Sequence, residues 1–181
     1  MLEIRWHGRG GQGVVTSSQL LSQAAIIEGK YAIHIPEFGP ERRGAPVRSY
    51  TRIDDEEIEI RYGVLNPDIV VVIDPTLVSY SDMIVEGLKD DGLIVINHHS
   101  GDIPDVFRRY RVFAVDAYRI SLDTLGRPIY NTSMLGALVG ATKIVSLDSV
   151  YTAMSSRFSG EILEMNIEAV RRGAKEVKRL A

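Results

Sequence analysis

The feature that most restricts what this chain can fold into is the run Ile69-Val70-Val71-Val72-Ile73, β-branched throughout and unbroken by any polar residue. Successive side chains of a strand point to opposite faces, so a strand with one wet face interleaves polar residues among apolar ones. A continuous apolar run belongs instead to a strand covered on both faces, as in a parallel sheet flanked by helices. The rest of the sequence supplies such a context. Residues 2–7 read as a first strand, 14–28 as a helix with Leu20, Leu21, Ala24, Ala25 and Ile27 at helical spacing, and 31–35 as a second strand closed by Pro36.

Further along, 47–53 and 58–62 flank the acidic turn Asp54-Asp55-Glu56-Glu57 and read as an antiparallel hairpin. Residues 77–88 are expected to form a crossover helix, and 93–96 and 112–115 further strands. The last third turns helical: 132–145, a short helix from 147 to about 158, and a long helix over 160–180. In that final helix Leu163, Ile167, Val170, Ala174 and Val177 make one apolar seam. The expected fold is α/β: a single Rossmann-like domain over 1–181, with a mostly parallel open sheet, a β-hairpin insertion and C-terminal helices.

Composition narrows the function. With 45% hydrophobic and 25% charged residues the chain is globular, and its net charge of -3 points to no nucleic-acid or membrane partner. It contains no cysteine, which removes disulfides, thiolate nucleophiles and cysteine-ligated iron–sulfur clusters together. No apolar run approaches the length needed to span a bilayer, and no export segment opens the sequence; a cytoplasmic address is the expectation.

In open α/β sheets, ligands gather at the carboxyl ends of the strands. Here those ends carry the turn Gly8-Arg9-Gly10-Gly11-Gln12-Gly13, the loop 36–46, Asp74-Pro75-Thr76, Asn97-His98-His99 and Asp116. The turn has the spacing G-x-G-x-x-G between a strand and a helix, which suits a phosphate, although glycines in such a turn also serve close packing alone. A nicotinamide enzyme needs an acid after the next strand, and only Glu37 stands near that place. The loop 36–46 sets Glu41, Arg42 and Arg43 among prolines and glycines, and adjacent guanidinium groups make forked donors for phosphate or carboxylate. His98-His99 is a weak metal candidate, because neighbours on an extended segment face opposite ways. Asp74 and Asp116 fit helix capping better than acid–base work.

His7 to Gly13, followed by Phe38-Gly39-Pro40-Glu41-Arg42-Arg43-Gly44-Ala45-Pro46-Val47, resembles the paired signature of the gamma subunits of 2-oxoacid:acceptor oxidoreductases. Asn66-Pro67-Asp68, Asp74-Pro75-Thr76, the segment 131–137 and the segment 166–169 extend the likeness over nearly the whole chain. The Arg42-Arg43-Gly44-Ala45-Pro46 version is similar to the pyruvate type. The resemblance implies a non-autonomous subunit of an enzyme that turns a 2-oxoacid and coenzyme A into acyl-CoA and CO2 while reducing ferredoxin. It implies alpha, beta and ferredoxin-like delta partners that carry thiamin diphosphate, magnesium and 4Fe–4S clusters, with no cofactor on this chain. Gly8, Gly10, Gly11, Gln12, Gly13, Glu41, Arg42 and Arg43 would then line a coenzyme A or inter-subunit edge, with no catalytic residue and no metal ligand assigned. The competing expectations are a branched-chain 2-oxoacid version of the same complex, a stand-alone NADPH-binding oxidoreductase, and a regulatory module for a nucleotide or acyl-CoA.

Overall fold

The computed structural model describes residues 1–37, 44–99 and 102–181. Glu41, Arg42 and Arg43 lie outside the described residues. The elements are β1 (Leu2–Arg9), α1 (Val14–Ile27), β2 (Tyr31–Pro36), β3 (Pro46–Asp54), β4 (Ile69–Val72), α2 (Ser81–Val85), β5 (Leu93–Asn97), β6 (Arg111–Val115), α3 (Ala117–Leu125), α4 (Asn131–Thr142), α5 (Leu147–Ser155), α6 (Gly160–Glu176) and β7 (Lys178–Arg179). One seven-stranded sheet runs in the order β2-β3-β1-β4-β5-β6-β7. β1, β4, β5 and β6 are mutually parallel, β2 runs with them, and β3 and β7 run against them.

β4 and β5 are buried at every residue, as a parallel strand covered on both faces must be. One face packs Ile4, Trp6, Val71, Ile73 and Val95 against α1, α4, α5 and α6. The other packs Val70, Val72, Ile94, Ile96 and Val112 against Leu77, Ile84 and Phe107. Each fully buried aliphatic side chain contributes about 1.5–3 kcal/mol, so both layers are needed. Among the described residues no helix is long and apolar enough to cross a membrane.

The structure corrects several expectations. Residues 58–62 form no strand. The buried Arg52 guanidinium donates to the carbonyls of Ile60 and Tyr62 in this segment and of Gly63 just after it, taking the place of ladder partners there. β3 pairs antiparallel instead with β2 on one side and with β1 on the other, lying between them. The expected crossover helix over 77–88 is a 3-10 helix over Pro75–Tyr80 followed by the short α2. Arg5 again replaces regular structure there, donating to the carbonyls of Ile84 and Glu86.

α3 was not foreseen, although Asp116 caps its start by accepting from the Arg119 N–H and Gly126 ends it in the left-handed region. The long final helix stops at Glu176 rather than 180. Beyond it β7 pairs with β6, and the Leu180 N–H donates to Val112 O at 2.8 Å, closing an otherwise open sheet edge.

The expected apolar seam of α6 does face the core, with small and polar residues joining it on the buried side. Its buried residues are Asn166, Ala169, Val170 and Gly173, while Leu163, Ile167 and Val177 are only partly buried against the core. The reason is the approach of α4. A Cβ at Gly136 would lie 2.8 Å from the Val170 Cα, and one at Gly173 would lie 2.9 Å from the Ser133 carbonyl carbon. Two backbones this close admit only small residues on the contact line, so the larger ones sit at its margins.

Candidate functional site

The G-x-G-x-x-G turn lies where β1 passes into α1, and its shape is set by contacts from three directions. The Gly10 N–H donates to Ala45 O at 2.9 Å and the Gly44 N–H to Gly10 O at 3.3 Å, strapping the turn to the start of β3. Gln12 reaches back, its Oε1 accepting from the Arg9 N–H at 2.8 Å. Its amide group donates to Asp74, at the carboxyl end of β4. Arg9 donates to the Thr76 hydroxyl through Nε and Nη2, at 3.1 and 2.8 Å. Thr76 in turn donates to Asp74 through its N–H, at 2.8 Å, and through its hydroxyl. Arg9, Gln12, Asp74 and Thr76 thus form one closed circuit joining the ends of two neighbouring parallel strands.

Asp74 sits at the centre of this circuit and is 5% exposed. Burial opposes its ionisation. The hydrogen bonds from Thr76 and Gln12 and the charge of Arg9 outweigh it, and the carboxyl is held below its ordinary value of 3.8. A depressed folded-state value means stability that is complete above the unfolded value and lost as pH falls through the lower folded one. Acid unfolding below about pH 4 should therefore be less steep in Asp74→Asn than in the parent chain, as followed by circular dichroism across a pH series.

Gly13 makes the second junction. It takes a φ of 78° at the N-cap of α1, a left-handed conformation suited to glycine. A Cβ there would lie 2.7 Å from Asn131 Nδ2 at the first turn of α4. Ser17 in α1 donates to Asn131 O at 3.1 Å, so the N-termini of α1 and α4 are packed together. Neither helix has a side-chain cap or an acidic residue in its first turn. Two helix N-termini without a capping side chain meet at the glycine turn, a setting suited to an anion, with the Asp74 carboxylate in electrostatic reach of Tyr130 at the start of α4.

Of the residues singled out from sequence, Gly8, Gly10, Gly11, Gln12 and Gly13 are brought together here. Asp74, Thr76, Arg9 and Asn131 join them, and sequence reasoning did not assign them to the site. Only the position of Asp74-Pro75-Thr76 at a strand end hinted at it. Asp116 and Asp74 both cap the elements that follow them. His98 and His99 have ring centroids 6.2 Å apart and line a separate cavity of about 430 Å3 with Arg119, Lys175 and Lys178. Among the described residues no group of three His, Asp or Glu is arranged to hold a metal ion.

Glu37 does not stand where a ribose-binding acid belongs. In a dinucleotide-binding unit that acid ends the strand next to β1. Here β3 intervenes, so β2 is two strand spacings, roughly 10 Å, from β1. The Glu37 carboxylate accepts from the Tyr50 hydroxyl instead.

A family model described as pyruvate ferredoxin/flavodoxin oxidoreductase matches residues 3–176. The pyruvate synthase subunit PorC of Methanothermobacter thermautotrophicus is 51% identical, with 99% of this chain and 98% of that protein covered. The common gamma subunit of the pyruvate/ketoisovalerate oxidoreductases of Pyrococcus abyssi is 47% identical over 94% of each chain. Among solved structures, the PORC subunit of Thermotoga maritima pyruvate oxidoreductase superposes with a TM-score of 0.87 at 44% identity, covering 98% of this chain and 97% of that one. By sequence along its whole length and by fold, the chain belongs to the pyruvate ferredoxin/flavodoxin oxidoreductase family.

Proposed function

We propose that this chain is the gamma subunit of a multi-subunit pyruvate:ferredoxin oxidoreductase, and that its G-x-G-x-x-G edge holds the phosphates of coenzyme A. The observation that carries the reading is the convergence of the α1 and α4 N-termini, both without a side-chain cap, at the glycine turn. Gly10, Gly11, Gln12 and Gly13 would supply the surface, Gly8 being buried in β1 against Val14 and Ile73 as a packing residue, and Glu41, Arg42 and Arg43 are assigned to the same ligand. The chain offers no thiolate for a cluster. Thiamin diphosphate with magnesium and the 4Fe–4S clusters accordingly reside on alpha, beta and ferredoxin-like delta partners. Thiamin diphosphate supplies the decarboxylation chemistry there, and ferredoxin takes the electrons.

The stand-alone NADPH reading is disfavoured by the displacement of Glu37 away from β1. The branched-chain reading is supported by one observation. The Pyrococcus abyssi relative is named as common to pyruvate and ketoisovalerate enzymes. A gamma chain shared in that way leaves the choice of 2-oxoacid to the other subunits, and this chain fits either complex. The complex is expected in the cytoplasm.

Anaerobic purification of the tagged chain from its host should bring down a thiamin-binding chain and a cysteine-rich ferredoxin-like chain, with pyruvate- and coenzyme A-dependent dye reduction. Recovery of the chain alone, without iron or thiamin, would overturn the subunit reading. Within the active complex, Arg42→Ala together with Arg43→Ala should raise the KM for coenzyme A about tenfold or more, each lost charged contact being worth roughly 1.5–3 kcal/mol. An unchanged KM would assign those arginines to a subunit interface instead.

A further inference from the structure

On the face of the sheet away from α1, β1 and β3 set Arg5, His7, Arg48 and Tyr50 side by side, with His7 directly opposite Arg48 in the ladder. Such cross-strand neighbours have Cβ atoms roughly 5 Å apart and act as a pair. His7 is 1% exposed and Arg5 2% exposed. Arg5 is a buried cation whose hydrogen bonds all go to neutral acceptors: His7 Nε2 at 3.0 Å, Ile84 O at 3.0 Å and Glu86 O at 2.6 Å. The carboxylates of Glu86 and Glu37 act on it only at longer range.

That arrangement fixes the state of His7. Because Nε2 accepts from Arg5, the ring proton is assigned to Nδ1. Burial, and then the charges of Arg5 and Arg48, hold the ring well below its ordinary value of 6.5 and therefore neutral. Among the described residues none accepts a hydrogen bond from Nδ1–H. Among those residues the fully buried polar atoms without a partner are His34 Nδ1 and Asn131 Oδ1; His7 Nδ1 is not one of them, so it keeps access to solvent beside the ring.

His7 lines a cavity of about 160 Å3. Its lining is polar at His7, Arg48 and Glu37 and apolar at Leu77, Met83, Val47 and Pro46, and the Arg48 guanidinium lies 3.8 Å from the Glu86 carboxylate. Glu37 stands on the wall and engages the Tyr50 hydroxyl, so a second negative charge in the occupant would be repelled. The volume corresponds to about five waters, or to a small organic acid.

We propose that this cavity binds a short-chain monocarboxylate, its carboxylate held between the His7 Nδ1–H and the Arg48 guanidinium and its alkyl end against Leu77 and Met83. Arg5 acts from behind as a buried positive charge that is not cancelled by an ion pair. Short carboxylates are also the class to which the 2-oxoacids of the proposed complex belong. The site is nevertheless on the opposite face of the sheet from the α1 N-terminus, and acetate carries no phosphate. Binding here is thus independent of the coenzyme A reading, and either can fail alone.

The test is a titration of the full-length chain with sodium acetate, propionate and butyrate at constant ionic strength. The readouts are the His7 ring resonances, through long-range proton–nitrogen correlation, and the Tm. The expected result is a saturable shift of the His7 Nδ1–H signal and a saturable rise in Tm for the carboxylates. Sodium chloride should give neither, and phosphate should be much weaker because of Glu37. Arg48→Gln should weaken carboxylate binding at least tenfold, and Arg48→Lys should restore part of it. Met83→Phe, which takes up room on the apolar lining, should weaken butyrate binding while sparing acetate. This last variant keeps the test decisive if Arg48→Gln folds poorly. A response that does not saturate, that chloride reproduces, or that Arg48→Gln and Met83→Phe both leave untouched would overturn the proposal and make the cavity a water-filled one.

Discussion

Gly136→Val should destabilise the chain by on the order of 3 kcal/mol or more and leave little folded protein at 37 °C. The first atom of the new side chain would lie 2.7 Å from the Val170 carbonyl carbon and closer still to its oxygen. These are backbone atoms of α6, so no rotamer change relieves the overlap, and the two helices must separate. Separation opens the core around Met134, Leu135, Leu138 and Val170, all fully buried. A domain of this size has only about 5–15 kcal/mol of net stability, so the loss is a large share of it. Thermal melts by circular dichroism would show it as a drop of many degrees. A melting temperature within a degree or two of the parent would mean that α4 and α6 are not in the close contact described.

The second large effect concerns function. Asp74→Ala in the assembled enzyme should raise the KM for coenzyme A by roughly one to two orders of magnitude while leaving the KM for pyruvate close to the parent value. The carboxylate accepts from Thr76 twice and from Gln12 once, and lies 3.6 Å from Arg9 Nε. Each charged hydrogen bond is worth about 1.5–3 kcal/mol, and a tenfold change in affinity corresponds to 1.4 kcal/mol. Without Asp74, Gln12 loses the contact that orients its amide, and Arg9 is free to leave the edge of the turn. Asp74 would act as a positioning residue, since nothing requires it to touch the ligand. Asp74→Asn keeps acceptor capacity through one oxygen and should fall between the two. Unchanged coenzyme A kinetics in Asp74→Ala would remove the turn from the ligand-binding edge, leaving Asp74 as a cap for the following 3-10 helix.

Much of the fold was legible where the signal is local. Ile69 to Ile73 identified a doubly covered strand because burial on both faces forbids polar alternation, and the strand–glycine–helix start was readable from spacing alone. What failed was pairing. Residues 58–62 alternate like a strand, but no sequence pattern says that Arg52 will meet their carbonyls from the neighbouring element. Arg5, His7, Arg48 and Arg52 are charged or polar residues of the kind expected to face water; the structure covers Arg5, His7 and Arg52 almost completely and Arg48 in part. Periodicity reports which residues share a face and is silent on what lies over it. The seam of α6 was legible, but the part of Gly173 was not: it meets Ser133 of α4 beside the seam residues Val170 and Ala174, and its small size reads as weak hydrophobicity.

The candidate site divides in the same way. The glycine turn belongs to one continuous segment and could be recognised in it. Asp74 joins Gln12 across 62 residues of sequence, and Asn131 meets Gly13 only through the packing of α4 on α1. Asp116 and Gly126 bracket α3 as start and stop signals, yet its nine residues, with Arg119 and Asp123 turned outward, carry too little apolar pattern to stand out.

The burial of α4 bears on how the chain opens. Residues 131 to 139 are all buried, between α6, α1 and the sheet. The amide hydrogens in the body of this helix can exchange with solvent only when the whole domain comes apart, whereas the thinner layer of α2 and the 3-10 turns is held by fewer contacts and can open by itself. The N-terminus that α4 presents beside Gly13 is therefore tied to the slowest-exchanging part of the molecule. The chain can fluctuate locally on one face and still keep the glycine turn and the start of α4 assembled on the other.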